Sequence, residues 1–304
     1  MTPETILVTG AAGFTGRYMC RYLRSILPDN RILGTDICTC VDCNYDEFYT
    51  ADIGCAEQIG KIIKEQRPKY IIHLAGIFGA SDVQTIYGVN LLSTIAIMEA
   101  AVNSTPESII ITSGSAAEYG RIDSSQMPID EDSSCNPVMH YGLSKLYATQ
   151  AAKYYHRVYG LTTMIVRPFQ LIGRNVSPKL APGAFAQRLI EAKKQGDKEI
   201  KVGNLQSSRD FLDAEDAVRA IWMLCQKPAP GEVFNLCSGK PITMEKLLDL
   251  MIKHSGCSVS PVEDQQYLKG KAEVNVVYGS FEKINRHCGW EPQISLETSI
   301  RSMF

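Results

Sequence analysis

Apolar and polar positions fall in blocks along the first half of the chain, and the period changes from block to block. Ile6-Leu7-Val8 is a short continuous apolar run, the pattern of a buried strand, and the segment after Gly16 switches to helical periodicity. Arg31-Ile32-Leu33-Gly34-Thr35 reads as a second strand. Tyr70-Ile71-Ile72-His73-Leu74, Ser108-Ile109-Ile110-Ile111-Thr112 and Thr162-Thr163-Met164-Ile165-Val166 continue the series. Helical patterns stand between them at 89–102 and 141–158, the second ending at Gly160, a residue suited to a C-cap. This alternation predicts an α/β fold with a Rossmann-type, doubly wound parallel sheet and ligands at the carboxyl ends of its strands.

After Arg167-Pro168 the texture changes. Pro178, Pro182 and Gly183 mark an irregular stretch, followed by helical patterns near 185–195 and 243–254 and a strand-like run from Val233 to Cys237. The expected organisation is a first domain over 1–167 and, over 168–304, mainly a smaller α/β lobe. Residues 213–225 are expected to pack back on the first domain. The sequence has no internal repeat and no low-complexity segment.

Composition narrows the class. The chain has 304 residues, 45% of them hydrophobic, and a net charge of −2, enough for an ample core. Near-neutral charge without a basic run argues against nucleic acid as partner. No apolar run approaches the roughly 18 residues of a membrane span, and a core strand opening at Thr5 without a basic stretch before it predicts no secretion signal. Ten cysteines in a chain of this kind suggest reduced thiols in the cytoplasm. Cys38, Cys40 and Cys43 cluster, with Cys55 nearby, but a single irregular group lacks the repeated tight pairs of a zinc site, so no metal is expected.

The candidate chemistry begins at the first strand-to-helix junction. Gly10, Gly13 and Gly16 let the backbone turn tightly and approach a diphosphate, whose charge then sits at a helix N-terminus. Their spacing is Gly-x-x-Gly-x-x-Gly rather than the better-known Gly-x-Gly-x-x-Gly. Asp36 ends the second strand, where a carboxylate bonds adenosine ribose hydroxyls. Further on, Tyr141 and Lys145 are spaced to share one helix face, where the ammonium is expected to lower the phenol's pKa from about 10. A phenol so placed exchanges a proton with an alcohol or ketone oxygen. Ser115 follows a strand at the same sheet edge, where its hydroxyl can reach a substrate oxygen.

Together with Ala51-Asp52-Ile53, His73-Leu74-Ala75-Gly76, Asn90, the run Ser113 to Gly120, Arg167-Pro168-Phe169 and Ser208 to Phe211, these motifs resemble the extended short-chain dehydrogenases/reductases that act on nucleotide sugars, over nearly the whole length. The resemblance implies NAD(H), or NADP(H), bound by residues 1–167. Gly10, Gly13, Phe14, Thr15 and Gly16 would form the phosphate loop. Asp52 and Ile53 would touch the adenine, and Leu74, Ala75 and Gly76 would line the diphosphate side. Lys145, with Tyr141, would bind the nicotinamide ribose, and Asn90, Ser113, Arg167 and Phe169 would complete the cofactor site. Ser115, Tyr141 and Lys145 would be the catalytic set.

Three reactions share that scaffold. Dehydration needs further acid–base groups; the family's dehydratases carry carboxylates at the positions held here by Ala116 and Ala117, and Glu118 is one step out of register. Keto-reduction is the preferred expectation and 4-epimerisation the alternative, with a non-catalytic NAD(P)-binding sensor or scaffold as a third class. The second half is similar to the GDP-4-keto-6-deoxymannose reductases, which implies substrate contacts from Ser115, Gln170, Arg209, Lys269 and Lys271. Two of these depart from the family pattern. Gln170 replaces an asparagine, and Lys269 or Lys271 stands near an expected Arg-Pro pair, so the planar guanidinium fork is missing. A homodimer through the helices at 89–102 and 141–158 is also expected, because Ile95, Met98, Tyr147, Ala151 and Tyr154 add apolar surface to a face already committed to the sheet.

Overall fold

The computed structural model describes residues 3–39, 44–80, 82–267 and 276–304. The chain runs β1 (Thr5–Thr9), α1 (Phe14–Ile26), β2 (Arg31–Asp36), β3 (Glu47–Thr50), α2 (Ala56–Gln66) and β4 (Tyr70–His73). It continues through α3 (Val83–Tyr87), a π-turn at Gly88–Leu92, α4 (Ser93–Ser104), β5 (Ile109–Ser113), α5 (His140–Tyr159) and β6 (Thr162–Pro168). Then follow β7 (Gln170–Ile172), α6 (Ala181–Gln195), β8 (Glu199–Val202), β9 (Ser208–Asp213), α7 (Ala214–Gln226) and β10 (Val233–Leu236). The last elements are β11 (Pro241–Thr243), α8 (Met244–Ser255), β12 (Ser260–Glu263), β13 (Val276–Val277), α9 (Glu282–Cys288) and α10 (Leu296–Arg301).

Among the described residues, seven parallel strands form one sheet in the order β10-β6-β5-β4-β1-β2-β3. Its inner strands β1, β4 and β5 carry apolar runs because both faces are covered. Ile6 and Val8 pack towards Met19 and Leu23 of α1 and Val218 and Ile221 of α7. Leu7 points the other way, towards Ile59 and Ile63 of α2, Ile97 of α4 and Ala152 of α5. Helix α1 buries Gly16, Met19, Cys20 and Leu23, an i, i+3, i+4, i+7 stripe. Helix α5 ends where Gly160 takes φ +73°, a left-handed cap. The chain returns to this sheet late: α7 packs on α1, and β10 pairs with β6 from Val233↔Ile165 to Leu236↔Pro168.

The second lobe centres on β9, flanked by antiparallel β11 and by parallel β13 and β7, with β8 and β12 paired beside it. Phe185 and Leu189 of α6, Leu247 and Met251 of α8, Phe211 and Ile300 form its own core.

Two expectations are corrected. The helix expected at 89–102 begins earlier, because the π-turn joins α3 to α4, and the resulting stretch Val83–Ser104 has 22 residues and a mean hydropathy of 1.4. By length and composition it could cross a membrane, although no such run was expected. It packs between α2 and α5, with Ile97, Met98 and Ala101 at 0% exposure, as a core helix does. Met98 therefore adds nothing to an outer face, whereas Tyr147, Tyr154 and Tyr159 on α5 are exposed.

Candidate active site

The strand order reverses between β1 and β4, and the loops after these two strands meet there. Gly10 takes φ +68°, and a Cβ on it would lie 2.7 Å from the backbone of Ala75. At Gly16 a Cβ would lie 2.0 Å from the Gly10 carbonyl oxygen. Only glycine permits either contact. Gly13, the N-cap of the 13-residue α1, brings no capping side chain, so the first-turn N–H groups face outward as an anion site, with Phe14 and Thr15 in that turn. One Asp36 oxygen accepts from Ala12 N at 3.0 Å and the other from Ile37 N at 2.8 Å, which fixes the carboxylate at the rim of the loop. On the far side of the loop, Asp52 is exposed and accepts from Gly54 N at 2.8 Å, while Ile53 is buried. This tight cradle, open helix end and rim carboxylate fit a dinucleotide.

Beneath the loop, buried His73 bonds Thr9 Oγ1 at 2.7 Å and Thr94 Oγ1 at 3.2 Å. Burial, helped by the positive charge of Lys145, lowers its pKa to about 3, so it is a neutral strut. Leu74 and Ala75 hydrogen-bond Thr9 through their N–H groups, and Gly76 lies so close to Lys145 that a Cβ would meet its Nζ at 2.9 Å. Buried Asn90, in the π-turn, bonds Ile77 N and O at 2.9 Å each and Ser144 Oγ at 3.0 Å, tying the β4 loop to α5.

Ser115, Tyr141 and Lys145 converge at the ends of β5 and α5. Lys145 Nζ donates to the Ser113 carbonyl at 2.8 Å. Burial lowers its pKa to about 8, with the Glu118 carboxylate opposing. The phenol of Tyr141 behaves differently from expectation. Burial raises its pKa above the ordinary value, the hydrogen bond with Ser115 lowers it, and Glu118 raises it again. The expected lowering by the Lys145 ammonium is not among the causes; desolvation dominates, and the phenol keeps its proton. Ser115 also serves its own backbone: its Oγ accepts from Ala117 N at 3.1 Å, while its N–H donates to Glu118 Oε1 at 2.9 Å, a reciprocal capping box.

Glu118 is fully buried, bonded to Thr149 and paired with Arg167 at 2.8 Å. Breaking such a pair by removing one partner costs about 3–5 kcal/mol. It holds Ser115 in place instead of facing a reactant. Arg167 belongs to the same buried knot, with its guanidinium 4.7 Å from the centre of the Tyr119 ring. Its position explains a structural duty that its motif alone did not disclose. Phe169 is buried beside Tyr119, and Ser113 lies at the end of β5.

The second lobe opens a cavity of about 420 Å³ lined by Gln170, Lys179, Arg188, Arg209, Phe211 and Tyr267, among others. That volume suits a small-molecule ligand. Arg209 alternates with Asp210 along β9, so the two point to opposite faces. Asp210 accepts from Ser238 N at 2.7 Å and Gly239 N at 2.9 Å on the core side, while burial lowers the pKa of Arg209. Arg188 lies over the Tyr267 ring at 4.1 Å. Lys269, Lys271, Cys40 and Cys43 lie outside the described residues. The eight described cysteines are free, and among the described residues no group of three metal-ligating side chains converges.

Sequence reasoning missed Arg188, Tyr267 and Phe78. The first two meet across a long chain separation. Phe78, whose ring is 5.0 Å from that of Tyr141, had a signal: a large apolar residue in a glycine-containing loop just after a strand end.

The model of the NAD dependent epimerase/dehydratase family matches residues 6–237. GDP-6-deoxy-D-mannose reductase of Pseudomonas aeruginosa is 28% identical over 308 residues, covering 99% of this chain and 96% of the relative. A putative UDP-glucose 4-epimerase of Methanocaldococcus jannaschii is 28% identical over 308 residues, covering 97% and 96%. Among solved structures, the Pseudomonas aeruginosa protein RMD in complex with NADPH superposes with a TM-score of 0.83 at 26% identity, covering 98% of this chain and 97% of that one.

Proposed function

Because the chain belongs to the NAD dependent epimerase/dehydratase family, we propose that it is a nucleotide-sugar 4-ketoreductase. It reduces a 4-keto-6-deoxy sugar, with GDP the favoured nucleotide by its similarity to the GDP-6-deoxy-D-mannose reductase. Residues 1–167 supply most of the dinucleotide site and residues 168–304 mainly the substrate lobe.

The nicotinamide group, when bound, supplies the hydride. Everything else is done by the chain. Gly10, Gly13 and Gly16 with the α1 N-terminus hold the diphosphate, and Asp36 holds the adenosine ribose. Ser115 donates a hydrogen bond to the substrate ketone. Tyr141 delivers a proton to the C4 oxygen as the hydride arrives at C4, converting ketone to alcohol. Lys145 stabilises the phenolate left behind. Arg209, with Arg188 nearby, meets the nucleotide's diphosphate.

One observation supports the choice of reduction: the similarity to the GDP-6-deoxy-D-mannose reductase runs over 99% of this chain and 96% of that relative. Sequestration of Glu118 by Arg167 likewise leaves dehydration without its second carboxylate. The epimerase alternative keeps support from the Methanocaldococcus jannaschii relative. The test is turnover of a panel of 4-keto-6-deoxy nucleotide sugars with NADH and NADPH, together with the cofactor content of the purified protein. Tightly retained NAD and interconversion of 4-epimers without external cofactor would replace reductase with epimerase; binding of cofactor without any turnover would leave a sensor or scaffold.

We also propose a homodimer through α4 and α5. Tyr147, Tyr154, Val158 and Tyr159 are 43–52% exposed on one long helix, and Leu92 is 56% exposed beside α4. Light scattering is expected to give twice the 33.6 kDa chain mass at micromolar concentration; a monomer mass would refute it.

A further inference from the structure

Phe78 carries a large apolar ring at 53% exposure in the loop between β4 and α3. The ring lies 5.0 Å from that of Tyr141, at an interplanar angle of 58°. One buried amide links the two segments that carry these rings. Asn90 brackets Ile77, the residue before Phe78, through bonds of 2.9 Å to its N–H and its C=O. The same Asn90 donates at 3.0 Å to Ser144, on the helix that carries Tyr141. Asn90 thus ties the backbone next to Phe78 to the helix that carries Tyr141. Val138 and Met139, 62% and 51% exposed, precede Tyr141 at the start of that helix. An exposed aromatic ring contributes little to a fold, and the place of Phe78 against the Tyr141 ring suits a cleft wall.

The chemistry of the ring suggests what it faces. A group beside the acid that protonates O4 lies near C4, whose two ring neighbours are C3, which bears a hydroxyl, and C5, which bears C6; an apolar ring suits the second. An aromatic wall there favours a methyl group and leaves a hydroxyl without a hydrogen-bond partner.

We propose that Phe78 is a specificity-determining residue, whose ring forms an apolar wall beside Tyr141 that receives the C6 methyl of a 6-deoxy sugar and disfavours a hydroxymethyl there. This rests on the 4-ketoreductase reading above. An apolar wall discriminates modestly, so the preference it sets is about tenfold to a hundredfold.

The experiment runs the reaction in the oxidative direction, comparing kcat/KM for GDP-6-deoxy-D-mannose and GDP-D-mannose with NAD+ in the wild type, Phe78→Ser and Phe78→Leu. The wild type is expected to prefer the 6-deoxy sugar. Phe78→Ser is expected to narrow that preference about tenfold, and Phe78→Leu to retain most of it. A wild type that oxidises both sugars, with the same ratio in Phe78→Ser, overturns the inference and leaves the reductase reading standing. Equal loss on both sugars in Phe78→Ser overturns it too, because the ring would then merely position Tyr141. If the wild type oxidises neither of these, nor their 4-epimers, nor the corresponding dTDP, UDP and CDP sugars, with NAD+ or NADP+, the reductase reading fails and the inference falls with it.

Discussion

At the carboxyl end of β1 the backbone leaves no room for a side chain, since a Cβ on Gly16 would meet the Gly10 carbonyl at 2.0 Å. The second-lobe cavity is the reverse, about 420 Å³ bounded by long side chains such as Arg209, Arg188 and Tyr267. Both regions present positive potential to an anion. In the first, fixed N–H dipoles at a helix end supply it, and the geometry tolerates one residue type. In the second, guanidinium groups supply it, and exchanging a side chain changes the ligand without disturbing the backbone. A backbone cradle conserves its ligand; a side-chain cavity can be re-addressed. Tyr141 belongs to neither: it stands at the start of α5, hydrogen-bonded with Ser115.

Removing its hydroxyl should therefore separate chemistry from both kinds of binding. Tyr141→Phe is expected to lower kcat by about 10²–10⁴ while dinucleotide affinity, read by fluorescence titration, stays unchanged. Substantial residual turnover would show that another group delivers the proton.

The next largest effect should fall on the cavity alone. Arg209→Ala is expected to weaken nucleotide-sugar binding by about 2 kcal/mol or more, roughly thirtyfold, with NADH binding untouched. Calorimetric titration with GDP, dTDP, UDP and CDP measures this and ranks the nucleotides. Unchanged affinity for all four would remove the cavity from the substrate site.

On the cradle side, Asp36 should set the choice of dinucleotide. A carboxylate repels a 2′-phosphate, so steady-state kinetics should favour NADH, and Asp36→Ser should narrow that preference about tenfold, or roughly 1.4 kcal/mol. The Pseudomonas aeruginosa RMD structure holds NADPH, which makes this a discriminating measurement: a strong NADPH preference would show that the rim carboxylate does not select.

The smallest effect is expected from pH. Lys145 is lowered from 10.5 to about 8 by burial, so its ammonium is present below pH 8 and is lost above it. Activity should decline by a few-fold above about pH 8, and Lys145→Arg should remove that limb. For stability the sign is opposite. The folded state binds this proton more weakly than the unfolded chain, so burial of Lys145 costs stability below pH 8 and the cost fades as pH rises towards 10.5. A profile flat from pH 7 to 10 would contradict both.

The cradle was legible in the sequence because its cause is local. Gly10, Gly13 and Gly16 declare backbone positions without side chains, Asp36 ends an obvious strand, and Tyr141 and Lys145 share a helix face by spacing alone. What the sequence withheld depends on distant partners. Glu118 gave no sign that Arg167, 49 positions away, would seal it. The raised Tyr141 phenol reflects burial by the assembled cleft, a property no spacing encodes. Arg188 and Tyr267 meet through separate elements of the second lobe. Asn90 was legible as a motif residue, but its double hold on Ile77 and Ser144 was not.

The late return of β10 to the large sheet also has a consequence for how the molecule comes into being. As the chain leaves the ribosome, β6 is complete at residue 168, but its outer edge stays unpaired until Val233–Leu236 arrives. During that interval an apolar strand edge is open to other chains, the condition under which edge-to-edge aggregation begins. A polypeptide cut at residue 167 would keep the glycine cradle yet carry that open edge permanently. Expression of such a fragment should yield inclusion bodies, and supplying the remaining residues on a separate chain should restore solubility.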